Sequence, residues 1–189
     1  HAFYKRMLQL WQWRNPRRHW LLKAPSHLNY LPVLFKVFPD ARVLLTHRDP
    51  IKAQASVVSL TGTFYWMRSD KPMAVSAFEG LLSPDHMAAR LERIIEWLER
   101  GEIPREQCFS SLYADLIERP FETVRGIYDR TGLDFTPETA RRIEAYLAQK
   151  PQGKFGRHDY RVGESADVQR KRAVFRRYQE YFGVPDEFA

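Results

Sequence analysis

The sequence contains a single cysteine, Cys108, which excludes an internal disulfide framework and any zinc site built from several cysteines. Its histidines, among them His19, His47, His86 and His158, lack the spacing of metal ligands. The motifs G-x-S-x-G and H-E-x-x-H do not occur either. We therefore expect that the functional site contains no metal. The single cysteine also favours a reducing compartment, and we expect the cytoplasm.

Long apolar runs, repeats and low-complexity segments are also missing. No run approaches the ~18 residues that span a bilayer, so we expect no membrane span. The chain begins at His1 without an initiating methionine or a secretory signal pattern, which suggests either an excised piece or a tagged form. With 189 residues, 44% of them hydrophobic, it can bury one core, and we predict a single domain over residues 1–189.

Positive charges outnumber negative ones, with a formal net charge of +7 and a pI near 9.6. This balance favours an anionic partner: a nucleotide, a sulfated or acidic substrate, nucleic acid or a membrane surface. Basic clusters occur at Arg17-Arg18, at Arg141-Arg142 and from Arg170 to Arg172, but they are scattered and accompany no recognised nucleic-acid motif. Charge alone does not choose among these partners.

Helix and strand patterns alternate along the chain, as in α/β folds. Near-continuous apolar runs predict buried strands over residues 42–46 and 107–112. The run Trp20 to Leu22 suits a further strand before a polar loop, whereas residues 61–82 lack a single period and are expected to form a substrate-side loop. Apolar spacing and breaker residues predict helices over residues 2–13, 30–37 and 50–60, near residues 83, 120 and 137, and around 174–182.

Arg48, Asp49 and Pro50 follow the predicted strand at residues 42–46. Asp49 can cap the next helix and Pro50 suits its first position, so Arg48 lies between a strand end and a helix amino terminus. Open α/β sheets bind anions at that edge. Ser56, eight residues after Arg48 and about two helical turns on, could contact the same phosphate. A surface ion pair and an ordinary helix serine are the alternative interpretation.

The stretch from Trp20 to Leu60, "WLLKAPSHLNYLPVLFKVFPDARVLLTHRDPIKAQASVVSL", resembles the sulfotransferases that use 3′-phosphoadenosine 5′-phosphosulfate, especially their bacterial-type members. In that family an arginine at the end of this strand and a serine eight residues later bind the 3′-phosphate of the donor. The resemblance implies these cofactor-binding roles for Arg48 and Ser56.

Two further segments are similar to the same family. The segment "SLYADLIERPFETVRGIYDRTGLDFTPETARRIEAYL" implies that Tyr113 lies near the adenine, although Ala114 replaces the usual acid. The segment "GKFGRHDYRVGE", followed by "FRRYQEYFGVP", looks like the late basic loop and final helix, and it implies that Lys154 and Arg157 reach the 3′-phosphate. By residue type alone, Tyr113 could equally be a core residue and the basic loop a solvated surface.

The resemblance implies transfer of a sulfuryl group to an acceptor hydroxyl or amine by in-line displacement, which depends on positioning and charge neutralisation. His27 is the candidate general base, because imidazole side chains exchange protons near neutral pH. Lys23 would stabilise charge on the sulfuryl oxygens. Lys23 and His27 stand four residues apart, against two in cytosolic members, and a purely structural histidine is the alternative.

The glycine-rich loop with which the family holds the 5′-phosphosulfate has no counterpart before Trp20. We therefore predict a P-loop NTPase-like sulfotransferase fold, with a parallel sheet flanked by helices, that is incomplete at its amino terminus. Without that backbone cradle, this chain alone is expected to bind the 3′-phosphate side of the donor without turnover.

Two other classes of function stay open from the residues. A nucleotide kinase-like phosphotransferase would need a magnesium-binding acid and a complete phosphate loop, and the arginine with a serine eight residues on argues against it. A basic nucleic-acid-binding module would show steeply salt-dependent binding; we expect no nucleic-acid partner. We expect a small-molecule, carbohydrate or lipid acceptor. Phe64, Tyr65 and Trp66 predict an aromatic-lined pocket, which suits a lipid, a phenol or a sugar equally, unless they belong to the core.

Overall fold

A computed structural model describes residues 1–151 and 165–187. Within these ranges the chain forms two strands and a series of helices, which confirms the predicted α/β class. The strands are β1 (Val43–His47) and β2 (Cys108–Leu112). The helices are α1 (Ala2–Gln12), α2 (Leu31–Val37), α3 (Pro50–Trp66), α4 (Glu79–Leu82), α5 (Pro84–Glu99), α6 (Tyr113–Glu118), α7 (Pro120–Thr131), α8 (Pro137–Gln149) and α9 (Ser165–Phe182).

The two strands are parallel neighbours, and their register places His47 opposite Leu112. Strands of a parallel pair run in the same direction, so their carboxyl ends meet at one edge of the sheet. The next residues, Arg48 and Tyr113, therefore leave the sheet side by side. This register is the feature of the fold that builds the site.

Helix α5 lies at the centre of the packing. Its apolar side chains recur at helical spacing, as the sequence predicts, and Ile94, Ile95 and Leu98 are buried. One face packs with Leu31, Phe35 and Leu45 against the sheet. The adjacent face packs against α9, whose Phe175 and Tyr178 belong to two further buried clusters. The last helix is thus held next to the strand ends.

Three local predictions differ from the structure. Trp20 to Leu22 forms no strand, and the Leu21 side chain is 98% exposed. Among the described residues no third strand pairs with this run, and strand propensity without a hydrogen-bonded neighbour does not make a strand. Helix α3 continues through Gly62 to Trp66, since a single interior glycine weakens a helix without ending it, and α4 lies within the predicted loop at 61–82. Helix α9 begins at Ser165, well before the predicted range of 174–182.

None of the helices in the described ranges has the length and apolar character needed to cross a membrane. The same ranges contain no group of three or more histidine, cysteine or acidic side chains placed to hold a metal ion.

Candidate functional site

Arg48 and Tyr113 lie together at the carboxyl edge of the sheet. The guanidinium carbon of Arg48 sits 4.2 Å from the centroid of the Tyr113 ring, which is the geometry of a cation–π contact. The Arg48 side chain keeps 32% of its surface exposed. The Tyr113 ring therefore covers one face of the guanidinium, and part of the Arg48 side chain remains accessible to solvent.

A carboxylate already occupies one edge of this guanidinium. Arg48 Nε donates to Glu187 Oε1 and Oε2 at 2.9 and 3.1 Å, and Arg48 Nη2 donates to Glu187 Oε2 at 2.9 Å. The two side chains are 139 positions apart in sequence. No local motif marks Glu187, so sequence reasoning missed it.

Asp49 is the fully buried centre of the turn. Its Oδ1 accepts a hydrogen bond from the Ile51 backbone N–H at 2.9 Å, which confirms the predicted cap of α3. Arg172 of α9 donates from Nη1 to Oδ1 and from Nη2 to Oδ2, each at 3.0 Å. The Glu187 backbone N–H donates to Oδ2 at 2.8 Å. One carboxylate thus joins the start of α3, helix α9 and the segment after α9.

The segment after α9 is held by a second set of contacts. Arg172 also pairs with Asp186, at 2.8 Å between Nη1 and Oδ1. Gln179 donates from Nε2 to Asp186 Oδ1 at 2.8 Å and to the Val184 carbonyl at 3.3 Å. Because two side chains of α9 hold this segment, the position of Glu187 follows from the position of the helix.

His47, the last residue of β1, is a buried structural group that the sequence did not single out for the site. Its Nδ1 lies 2.7 Å from the Tyr178 hydroxyl and its Nε2 lies 3.0 Å from Ser110 Oγ. Its ring stacks on Phe182 with 4.2 Å between centroids. Burial lowers the pKa of His47 to about 4 and raises the pKa of Tyr178. The imidazole is therefore neutral at pH 7 and ties β1 to β2 and α9.

The remaining predicted site residues lie in several places. Ser56 is partly buried in the first half of α3. His27 lies in a 3-10 turn, and its ring faces Tyr4 of α1 at 5.6 Å between centroids; Lys23 is exposed just before that turn. Lys154 and Arg157 lie outside the described residues.

The predicted aromatic pocket takes the form of an exposed stripe on α3. Tyr65 packs edge-on against Phe78, whereas Phe64 and Trp66 are exposed. Exposed apolar side chains recur along one side of the helix at i, i+3, i+7 and i+10: Val57, Leu60, Phe64 and Met67. A surface helix normally turns such a stripe toward an apolar partner.

The sequence profile of the Sulfotransferase family matches residues 1–137. The chain therefore belongs to the sulfotransferase family, and the predicted resemblance is confirmed. The match includes β1, the Arg48 turn and the whole of β2. It ends at the first residue of α8, so α9 and Glu187 lie beyond it.

Two solved structures resemble the chain. The sulfotransferase STF9 from Mycobacterium avium is 29% identical and has a TM-score of 0.73, over 98% of this chain and 47% of that one. The sulfotransferase domain from the curacin biosynthetic pathway is 15% identical, with a TM-score of 0.53 over 96% of this chain and 69% of that one. The second likeness shows the fold alone.

Sequence relatives include the omega-hydroxy-beta-dihydromenaquinone-9 sulfotransferase Stf3 of Mycobacterium bovis and of Mycobacterium tuberculosis. Each is 26% identical over 154 residues, which is 80% of this chain and 38% of the relative. The chain thus spans well under half the length of these relatives.

Proposed function

We propose that this chain carries the 3′-phosphate-binding side of a sulfotransferase that takes its sulfuryl group from 3′-phosphoadenosine 5′-phosphosulfate. The observation that carries the proposal is the position of Arg48, between the carboxyl end of β1 and the amino terminus of α3. Helix amino termini and strand ends of α/β sheets favour anions, and a partly exposed arginine adds a planar set of donors for a phosphate. Ser56, Lys154 and Arg157 are proposed further contacts.

Tyr113 supports the site through the orientation of Arg48. Its ring covers one face of the guanidinium, so the donors of Arg48 remain in a fixed plane. The proposed position of the adenine is therefore beside this pair, on ring surface that the guanidinium does not cover.

The proposed reaction is an in-line displacement at sulfur. The acceptor hydroxyl oxygen forms a new S–O bond while the S–O bond to the 5′-phosphate breaks, and 3′-phosphoadenosine 5′-phosphate leaves. We assign the acceptor proton to the imidazole of His27 and the charge on the sulfuryl oxygens to Lys23. The short distance along the chain between Lys23 and His27, which lies in the turn Pro25–Asn29, supports this assignment.

The acceptor that fits the described surface best is an apolar molecule with a hydroxyl group. The stripe of Val57, Leu60, Phe64 and Met67 runs along the second half of α3, the helix whose amino terminus adjoins Arg48. A relative is named for action on an omega-hydroxy dihydromenaquinone, which combines a long apolar chain with a terminal hydroxyl. Both facts favour a lipid-like acceptor over a carbohydrate.

The first experiment is a calorimetric titration of the chain with 3′-phosphoadenosine 5′-phosphate and with adenosine 5′-phosphate. We expect the 3′-phosphate to strengthen binding about 10- to 100-fold, the range for hydrogen bonds to charged groups. Arg48→Ala should remove that preference because it deletes the guanidinium. Arg100→Ala is the matched control, since it deletes an exposed arginine that pairs with Glu96 of α5 and with Glu102 after the helix. Equal binding of the two nucleotides by the folded wild-type chain would overturn the proposal.

A further inference from the structure

We infer that Glu187 is an internal anion that competes with the 3′-phosphate for Arg48. This inference rests on the proposed function, because it concerns the ligand of the same guanidinium. It assigns a role in nucleotide affinity to a residue that lies beyond the segment matched by the family.

The hydrogen-bond pattern is the first argument. Glu187 accepts from both Nε and Nη2 of Arg48, which is the side-on pairing that arginine offers equally to carboxylates and phosphates. A carboxylate in this position takes two of the donor directions that a phosphate would use. The pair is only partly exposed, with 32% of Arg48 and 24% of Glu187 accessible, so solvent screens it incompletely.

The Tyr113 ring is the second argument. Because the ring lies 4.2 Å from the guanidinium carbon, a ligand cannot bind on that face. A phosphate must approach from the opposite face or in the plane of the guanidinium, where Glu187 holds the Nε–Nη2 edge. Two anions around one cation repel each other, so bound phosphate and the Glu187 pair weaken each other.

The anchoring of the backbone is the third argument. The Glu187 N–H remains bonded to Asp49 at 2.8 Å, and Asp49 is in turn held by Arg172. The backbone therefore delivers the carboxylate to Arg48, while its partly exposed side chain can rotate away without release of the segment. The Glu187 carboxylate can therefore separate from Arg48 when a phosphate binds and pair with Arg48 again when the phosphate dissociates.

This competition would act on donor and product alike, because both carry the same 3′-phosphate. We expect the competition to lower the affinity for 3′-phosphoadenosine 5′-phosphate after transfer, which favours product release. Adenosine 5′-phosphate has no 3′-phosphate, so its affinity should not depend on Glu187.

The test compares Glu187→Gln with the wild-type chain in titrations with both nucleotides. Glutamine keeps the shape and removes the charge, and we expect about tenfold tighter binding of 3′-phosphoadenosine 5′-phosphate with adenosine 5′-phosphate unchanged. Raising the salt from about 0.05 M to about 0.5 M should shrink the gain. Glu99→Gln is the control, since it removes one negative charge from the exposed pair with Arg177 at the far end of α5.

The outcomes separate this inference from the proposed function. If the wild-type chain prefers the 3′-phosphorylated nucleotide but Glu187→Gln leaves its affinity unchanged or weaker, Glu187 does not compete, and the proposed function stands. If neither chain shows the preference while circular dichroism shows both folded, the donor site itself is wrong and the inference fails with it. If the wild-type chain prefers the 3′-phosphorylated nucleotide and Glu187→Gln prefers it more strongly, both the proposed function and the competition are supported.

Discussion

His47 is a buried histidine whose two ring nitrogens are both occupied, by Tyr178 and Ser110. Its folded-state pKa of about 4 lies below the ordinary value of 6.5. As the pH falls below 6.5, His47 therefore binds a proton in the unfolded chain but stays neutral in the folded chain. The contribution of His47 to stability is complete above that pH and is lost as the pH falls toward 4.

We predict that this linkage lowers the free energy of unfolding by about 2 kcal/mol between pH 7 and pH 5. Urea denaturation at the two pH values measures it. His47→Gln, which cannot titrate, should lose about 2 kcal/mol less than the wild type over the same interval. His19→Gln removes an exposed histidine and should behave like the wild type. The same pH dependence in wild type and His47→Gln would show that another group is responsible.

At the scale of residues, the sequence predicted the contacts that are local and missed those that are distant. Asp49 was identified as a helix cap because its partner, Ile51, is two positions away. Arg48 was identified from its position between a strand end and a helix start and then from the family resemblance, whereas Tyr113 was selected through the resemblance alone. Glu187 and His47 were missed because their partners lie 139 and 131 positions away, and only the packing of α9 brings them together.

Helix α7 contains one glycine inside the helix and ends at another, and the two should respond oppositely to substitution. Gly132 terminates the helix with φ 63°, a left-handed conformation that disfavours any Cβ. A Cβ there would also meet Arg42 Nη1 at 2.6 Å, so that flexible side chain would have to shift. Gly126 lies within the helix, and a Cβ there would meet nothing within 4 Å.

We predict that Gly132→Ala lowers the free energy of unfolding by about 1 kcal/mol, the usual difference between glycine and alanine at such a position. Gly126→Ala should raise it by about 0.5 to 1 kcal/mol, because alanine restricts the unfolded chain and favours the helix. Thermal or urea unfolding of the two variants tests both signs. A stabilising Gly132→Ala would contradict the assigned helix end.

At the scale of elements, the helices with a clear apolar face or capping residues were predicted close to their observed limits. The amphipathic pattern of α5 and the proline starts of α7 and α8 each identify a helix without tertiary information. The failures were the strand at Trp20 to Leu22, the length of α3 and the start of α9. A strand needs a hydrogen-bonded neighbour, α3 tolerates Gly62, and residues 165–173 are mostly polar, so local pattern could not settle these limits.

Over the whole molecule, the buried pair of Asp49 and Arg172 connects the site to the last helix. Asp49→Ala should lower the free energy of unfolding by about 3 to 5 kcal/mol, because it leaves Arg172 without its buried partner and removes the cap of α3. Asp115→Ala breaks an exposed pair with Arg119 and should cost below about 1 kcal/mol. Urea denaturation compares the two, and similar losses would mean that the buried pair adds little.

The shared carboxylate of Asp49 also has a consequence for synthesis. Its two distant donors, the Arg172 side chain and the Glu187 backbone N–H, follow it by 123 and 138 positions. During translation the turn at Arg48 emerges from the ribosome early, but the Asp49 carboxylate cannot be buried with these donors until residues 172 to 187 have followed. The anion site is therefore completed late in biosynthesis, after the strands that flank it have already left the ribosome.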